Sequence, residues 1–271
     1  MLILSTDIGE GHDLPARVLA DDLRAAAPGS QVEIVDTISD MGGFVSGVIR
    51  DGMRFMIERA NWLWDIVFWL VTFFWPTRRV MGGLAYLFGA RTTLELIRDH
   101  DPDVVVSTYP GSSEILGQLK AAGRLKRPVV SAITDLSALT YWSHPGIDLH
   151  LITHPESADE VARIAGKREG IHTVRGLYKP EFAEHRDPLE ARRALELPAR
   201  GDVVVVSGGG WGVGDLEGAL RVVLERPAAT AICLCGRNEA VRERIEAAFA
   251  GEPRVLVVGF TDRMSDYLAA A

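Results

Sequence analysis

The chain has 271 residues, enough for two domains of ordinary size, and its 47% hydrophobic and 24% charged content is that of a globular protein. A net charge of −8 argues against a general nucleic-acid binder, which needs a basic surface. The two cysteines, Cys233 and Cys235, sit two apart in the apolar run AICLC; they read as core thiols on one face of a buried strand, which excludes a disulfide framework and points to a reducing cytoplasm.

An apolar strand, Leu2–Ser5, starts the chain, so no signal peptide is expected ahead of it. It runs into the loop TDIGEGH and then a helix, expected over Leu14–Ala27. Strands are expected at Val32–Val35, Val104–Ser107, Val129–Ile133, Leu149–Thr153 and His172–Val174, with helices at Thr92–Asp99, Ser113–Ala122 and Glu156–Ala165 between them. The strands are short continuous apolar runs, the mark of parallel strands covered on both faces, so the pattern is doubly wound α/β. The proline-containing polar stretch GLYKPEFAEHRDP ends this unit near Gly176. A fresh strand–glycine loop–helix unit follows in DVVVVSGGGWGVGDLEGAL. Helices are expected at Pro188–Leu195, Asp215–Glu225 and Glu239–Phe249, and strands at Val203–Ser207, Ala231–Cys235 and Val255–Val258. Two Rossmann-like domains, 1–176 and 177–271, are therefore expected to face a cleft at the carboxyl ends of their strands. The second has three clear strands and the sequence stops at DYLAAA, where another strand is expected, so it reads as incomplete.

The two glycine loops differ in chemistry. The first holds Gly9, Gly11 and His12 among Asp7, Glu10 and Asp13, and would repel a phosphate. Neighbouring carboxylates hold an imidazole and raise its basicity, so His12 reads as a general base for an alcohol, with helix capping as the alternative. Asp135, ending the strand in ITDL, can orient His12 or an acceptor, or simply form an Asx turn. His144, in YWSHPG, can assist an acceptor or cap a turn. His144, His150 and His154 lack metal-ligand spacing with a fourth ligand, so no metal site is expected. The second loop, with Gly208, Gly209, Gly210, Gly212 and Gly214, carries no charged side chain; its backbone N–H groups and the following helix suit a diphosphate. It is neither a Walker loop nor a clean GxGxxG.

The segment WLWDIVFWLVTFFW, Trp62 to Trp75, holds four of the six tryptophans and one charge, Asp65. As a single helix of about 21 Å, at ~1.5 Å per residue, it is too short for a ~30 Å bilayer core. Arg54, Arg59, Arg78 and Arg79 flank it. Trp62, Trp64, Trp69, Phe73, Phe74 and Trp75 are therefore read as an interfacial contact with an anionic membrane, in preference to a buried core helix, since tryptophan is rarely fully buried.

STDIGEGH before a helix resembles the N-terminal signature of the monogalactosyldiacylglycerol synthase-like glycosyltransferases, relatives of the N-acetylglucosaminyltransferase of lipid-linked peptidoglycan precursor. ITDLSALTYWSHPGIDLHLI, VRGLYKPEF, SGGGWGVGDL and GFTDRMSDYLAAA resemble further family motifs in the same order, with Tyr178 and Lys179 departing from the usual residues. The resemblance implies the GT-B fold, with the acceptor on the first domain and a UDP-sugar on the second. It implies acceptor contacts at Gly9, Gly11, Trp142 and His144, and donor contacts at Gly208, Gly209, Gly210, Trp211, Gly212, Phe260, Thr261 and Met264. Family members continue past the stretch resembling Leu268–Ala271 with a turn for the sugar and ribose. The expected activity is inverting transfer of a hexose from a UDP-sugar to a lipid such as diacylglycerol, with His12 and Asp135 as the catalytic pair and neither metal nor separate cofactor. The expected location is the inner face of the cell membrane, as a peripheral protein. A non-catalytic lipid- or nucleotide-binding remnant and a GT-B nucleotide-sugar epimerase are the alternatives.

Overall fold

The computed structural model describes residues 1–6, 10–40, 47, 51–52, 55–56, 60–136 and 139–271. Contacts divide the chain into two compact units, Met1–Tyr178 and Lys179–Ala271.

The first unit is a parallel sheet of six strands in the order β2-β1-β3-β4-β5-β6. They are β1 (Leu2–Ser5), β2 (Glu33–Asp36), β3 (Val105–Ser107), β4 (Val129–Ile133), β5 (Leu149–Ile152) and β6 (Ile171–Thr173). All six correspond to apolar runs legible in the sequence, shifted by one residue at most at either end. β1 is fully buried because both its faces are covered. Leu2 and Leu4 pack with Ile97, Leu116 and Leu119 on one side, and Ile3 with Ala16, Ala20 and Val106 on the other. The helices of this unit include α1 (Glu10–Ala26), the single turn α2 (Thr37–Asp40), α3 (Asn61–Thr72), α4 (Trp75–His100), α5 (Pro110–Ala121) and α6 (Ala158–Ala165).

Three helix boundaries differ from expectation. α1 begins at Glu10, four residues before the expected Leu14, so Gly11 and His12 lie in its first turn and not in a loop. Pro15 misleads here: it reads as a first-turn proline, yet it stands inside the helix. The aromatic segment is not one helix. α3 stops at Thr72, Phe73 and Phe74 form the corner, and Trp75 opens α4 with Pro76 in its first turn. α4 then runs 26 residues to His100, far beyond the expected Thr92–Asp99.

The second unit is a three-stranded parallel sheet, β7 (Val203–Ser207), β8 (Thr230–Leu234) and β9 (Val255–Val258), in the order β7-β8-β9. Its helices are α7 (Pro188–Ala194), α8 (Leu216–Leu224), α9 (Glu239–Ala248) and α10 (Met264–Ala270). DYLAAA, where a strand was expected, is helical: Tyr267 packs on Ile232 and Leu234, and Arg192 Nε of α7 donates to the Ala270 carbonyl at 2.7 Å. Cys233 and Cys235 are buried in the core with their sulfurs 3.8 Å apart, and burial pushes the Cys233 thiol up to about 12.

Candidate active site

The carboxyl end of the first sheet is lined with small hydroxyl side chains. Thr37 Oγ1 donates to the Ser5 carbonyl at 3.0 Å and lies 2.9 Å from Ser112 Oγ. Ser113 Oγ donates to Ser107 Oγ, and Ser131 Oγ to the Trp142 carbonyl, at 3.0 and 2.8 Å. These residues are buried and bond to one another, whereas the neighbouring Thr6, Thr108 and Thr134 hydroxyls, just past β1, β3 and β4, are buried without a hydrogen-bond partner among the described residues.

His12 stands over this floor. Ser5 Oγ donates to its carbonyl at 3.1 Å, tying the first turn of α1 to the end of β1. Its Nδ1 lies 3.1 Å from the Thr108 carbonyl. A carbonyl only accepts, so this contact puts the proton on Nδ1 and leaves a lone pair on Nε2. Tyr109 meets the imidazole edge-on at 5.2 Å between centroids, and the Trp142 ring lies tilted at 5.8 Å. Burial lowers the pKa of His12 below its usual value, opposed by the negative charge of Asp135 and by the bond to Thr108. His12 is thus neutral at pH 7, with a free basic nitrogen.

The expected origin of that basicity needs correction. Among the described residues the carboxylate that acts on His12 is Asp135, 123 positions away, and burial outweighs it, so basicity is lowered overall. Asp13 forms an ion pair with Arg17, one helical turn on. Asp7 and Gly9 lie outside the described residues. Asp135 is exposed and accepts from Trp142 Nε1 at 2.8 Å. Trp142, expected to touch an acceptor, is fully buried; it acts here as a wall beside His12 and a donor to Asp135. Burial and the charge of Asp36 raise the Tyr109 hydroxyl to about 12, so it stays protonated.

The Asp135 contribution can be measured. Asp135→Asn removes an attractive charge, so His12 should titrate at lower pH than in the parent chain, in an NMR titration of its ring nitrogens. An unchanged or raised titration point would show that the carboxylate does not reach the imidazole.

His144 belongs to a different pocket. It lines a cavity of about 420 Å³ with Arg78, Gly82, Glu114, Gln118 and Tyr141; His12 is not part of that lining. The His144 ring lies against α5 at Gly117, where a side-chain carbon would overlap it. The Gly146 N–H donates to His144 Nδ1 at 3.0 Å, so the ring proton sits on Nε2. Burial raises the Glu114 carboxyl, which accepts from Gln118 Nε2 at 2.7 Å. The Tyr141 hydroxyl donates to the Val71 carbonyl at 2.8 Å, joining this turn to the end of α3. Arg78, Glu114, Gln118 and Tyr141 were not singled out from sequence, where a half-buried glutamate in a helix has no local signature. His150 is buried and held well below the usual histidine range, at about 4; the His144 N–H points at its Nε2 from 3.4 Å. Among the described residues no cluster of three or more metal-ligating side chains occurs.

In the second unit the loop after β7 meets the turn after β8. Gly208 N–H donates to the Leu234 carbonyl at 3.0 Å, Arg237 N–H to the Gly210 carbonyl at 2.8 Å, and Asn238 Nδ2 to the Trp211 carbonyl at 3.1 Å. Asp215 caps α8, its carboxylate accepting from the Gly218 N–H at 2.8 Å. Phe260 is half exposed, with the Arg237 guanidinium 3.8 Å above its ring. Thr261 Oγ1 accepts from the Arg263 N–H at 3.0 Å. Met264, expected at the donor, is partly buried and packs against the cluster of Val203, Ile232, Leu234 and Tyr267.

The chain is 28% identical over its whole length to a probable monogalactosyldiacylglycerol synthase 2 of rice, covering 60% of that protein, and 27% identical to monogalactosyldiacylglycerol synthase 1 of Arabidopsis thaliana, covering 52% of it. Across 68% of its length it is 21% identical to a processive diacylglycerol beta-glucosyltransferase of Staphylococcus epidermidis, covering 47% of that protein. The chain thus spans about 60% or less of the length of these relatives. Among solved structures, HepE of Anabaena with UDP-glucose aligns over the whole chain and 71% of its own, with a TM-score of 0.55 at 16% identity. MurG of Acinetobacter baumannii aligns over the whole chain and 70% of its own, with a TM-score of 0.53 at 15% identity. These likenesses establish the GT-B fold. The family description "Monogalactosyldiacylglycerol (MGDG) synthase" fits residues 12–175, from His12 through strands β2 to β6 and well over half of the sequence, and the chain therefore belongs to the monogalactosyldiacylglycerol synthase family.

Proposed function

We propose that the chain carries out, or forms part of an enzyme that carries out, transfer of a hexose from a UDP-sugar to diacylglycerol or a related membrane lipid. The observation that carries this reading is His12, a neutral imidazole whose Nδ1–H is held by the Thr108 carbonyl so that Nε2 is the base. The lipid hydroxyl gives its proton to Nε2 and its oxygen bonds to the anomeric carbon. The bond from that carbon to the diphosphate oxygen breaks, and its electron pair leaves with UDP. Direct displacement inverts the anomeric centre, and no metal ion or separate cofactor is assigned a part. His12 and Asp135 act as base and partner. The second unit takes the UDP-sugar through the loop Gly208, Gly209, Gly210, Trp211 and Gly212, with Phe260 and Thr261 beside it. Family membership, relatives named as glycolipid synthases and a structural neighbour solved with UDP-glucose support this assignment.

Two measurements test it together. UDP, UDP-glucose and UDP-galactose are titrated into the chain, and the same sugars are incubated with it and diacylglycerol-containing vesicles. Nucleotide binding and a glycosylated lipid product are expected. A chain that binds neither UDP nor vesicles overturns the reading.

The membrane side of the proposal rests on α3 and α4. Trp62, Phe73, Trp75 and Leu87 are 69, 60, 60 and 70% exposed, and Phe68, Trp69, Phe74 and Phe88 are exposed beside them in sequence. Trp64 is half-buried and packs on Phe68 at 6.0 Å. Arg79 stacks on Trp75 at 5.4 Å, an arrangement of cation and indole suited to a lipid headgroup region. Among the described residues no helix is long and apolar enough to cross a membrane. The face therefore lies on an anionic bilayer, which the proposal takes to be the inner face of the cell membrane. Replacing Trp69 and Phe73 with serine removes two side chains each worth about 1.5–3 kcal/mol on full burial. Vesicle binding should fall by about tenfold or more, with UDP binding unchanged. Unfolding of the variant would assign the two residues to the core instead.

A further inference from the structure

We propose that the cavity lined by Glu114 and His144 binds the neutral polyol headgroup of a glycolipid, a hexosyl lipid of the class that the proposed transfer makes. This deepens the lipid-side reading above and rests on it. At about 420 Å³ the cavity has the size of a small-molecule site, and His12 takes no part in its lining. Its groups are matched to hydroxyls. The contact with Gly117 and the bond from Gly146 take up the Cγ–Nδ1 side of the His144 ring, so the Nε2–H is what the ring offers. Ser143 also lines the cavity, and its buried Oγ has no hydrogen-bond partner among the described residues. Glu114 Oε1 accepts from Gln118, and the second carboxyl oxygen can accept another bond. The Arg78 guanidinium lies close enough for its charge to act on that carboxyl. A sugar hydroxyl donates and accepts at once, so it suits a wall that mixes N–H donors with a carboxyl. A phosphate suits it less, because it brings acceptors and negative charge to the side of Glu114.

The space is kept open at a cost to the helix beside it. Gly82 and Gly83 both line the cavity and stand side by side inside α4, where glycine is among the least favourable residues. At Gly82 a side-chain carbon would come within 2.9 Å of Glu114 Oε1. At Gly83 it would meet nothing within 4 Å, so packing within the protein does not call for glycine there. Bare backbone is what a close-fitting ligand needs. The cavity also borders the face assigned to the membrane. Arg79 lines it and stacks on the exposed Trp75, and Val80, Met81 and Leu84 are exposed on the same helix. From Trp75 to Gly83 is about 12 Å along α4, at ~1.5 Å per residue. A headgroup in the cavity thus leaves its acyl chains beside the apolar side chains of α4, at the bilayer surface.

The test compares phosphatidylcholine vesicles with and without monohexosyl diacylglycerol. The glycolipid should tighten binding of the parent chain by about tenfold, the scale of one or two good polar contacts. Gly83→Leu places a side chain where no protein atom stands and should abolish that gain, each variant being referred to its own binding of plain vesicles. Glu114→Gln can still accept from Gln118 and should reduce the gain in part; it decides alone if Gly83→Leu does not fold. Hexosylglycerol, the headgroup without chains, should shift the His144 ring signals in an NMR titration, at higher concentration than the vesicle-borne lipid requires. Glycerol 3-phosphate should not shift them. No preference of the parent for the glycolipid, the full preference in a folded variant, or a stronger response to glycerol 3-phosphate overturns the proposal. Equal affinity for hexosylglycerol and the vesicle-borne lipid overturns its membrane source. All of these leave transfer to diacylglycerol standing, since that is read at His12. Absence of transfer by a parent chain that keeps the glycolipid preference overturns the reaction reading instead.

Discussion

Replacing His12 with alanine is expected to lower glycosyl transfer by on the order of 10²-fold or more, the usual loss on removing a general base. The interpretation depends on separating chemistry from packing. His12 donates to the Thr108 carbonyl and packs against Tyr109 and Trp142, so alanine leaves an acceptor without its donor and a gap between two rings. The unmade hydrogen bond alone costs about 1–3 kcal/mol of stability. Glutamine supplies the control, since its amide can donate to Thr108 while offering no base. His12→Gln should therefore match His12→Ala in turnover and exceed it in melting temperature. Turnover close to the parent in a folded His12→Gln would remove the imidazole from the mechanism. The expected pH profile has the same origin. Burial holds the His12 pKa below its ordinary value, so the acid limb of the activity profile should have its midpoint below that of an ordinary histidine.

All nine strands of the described residues could be read from the sequence because parallel strands buried on both faces leave uninterrupted apolar runs such as LILS, VVSAI and TAICL. What failed was helix starts and tertiary chemistry. Pro15 hid the first turn of α1, and with it the fact that His12 is a helix residue fixed by β1 and β3. Gly82, Gly83 and Gly89 interrupt the pattern of α4, so only its last third was legible, although Gly82 is what lets Glu114 approach. His12 and Asp135 were both identifiable, from glycine spacing and from the end of a strand. Their pairing was expected as well; what stayed hidden is that burial outweighs the carboxylate, and that the buried Trp142 donating to Asp135 is more than a core aromatic. The turn after β8 was passed over for a similar reason: it lies far from the glycine run in sequence, and the bonds from Arg237 N–H to Gly210 and from Asn238 Nδ2 to Trp211 bring the two together.

That connection predicts the largest effect in the second unit, at Gly236. The residue adopts φ +60°, and a side-chain carbon there would collide with the Gly209 carbonyl oxygen and lie 2.5 Å from that of Gly210. Both obstacles are backbone atoms, so no rotamer change relieves them. Alanine must push the 208–212 loop away from the 235–238 turn. The bonds at stake are those from Arg237 N–H to Gly210 and from Asn238 Nδ2 to Trp211. Gly209 is the matched comparison: it has nearly the same φ, +64°, but a side-chain carbon would meet nothing within 4 Å. Gly209→Ala should therefore cost only the left-handed backbone, about 1–2 kcal/mol, and leave most UDP affinity in place. Gly236→Ala carries that strain plus the displacement of the loop, so it should be clearly less stable and lose UDP binding by well over tenfold. The comparison is made by denaturant unfolding and UDP titration of the two variants side by side. Equal losses would mean that the loop tolerates being moved, and that its shape is not fixed by the turn after β8.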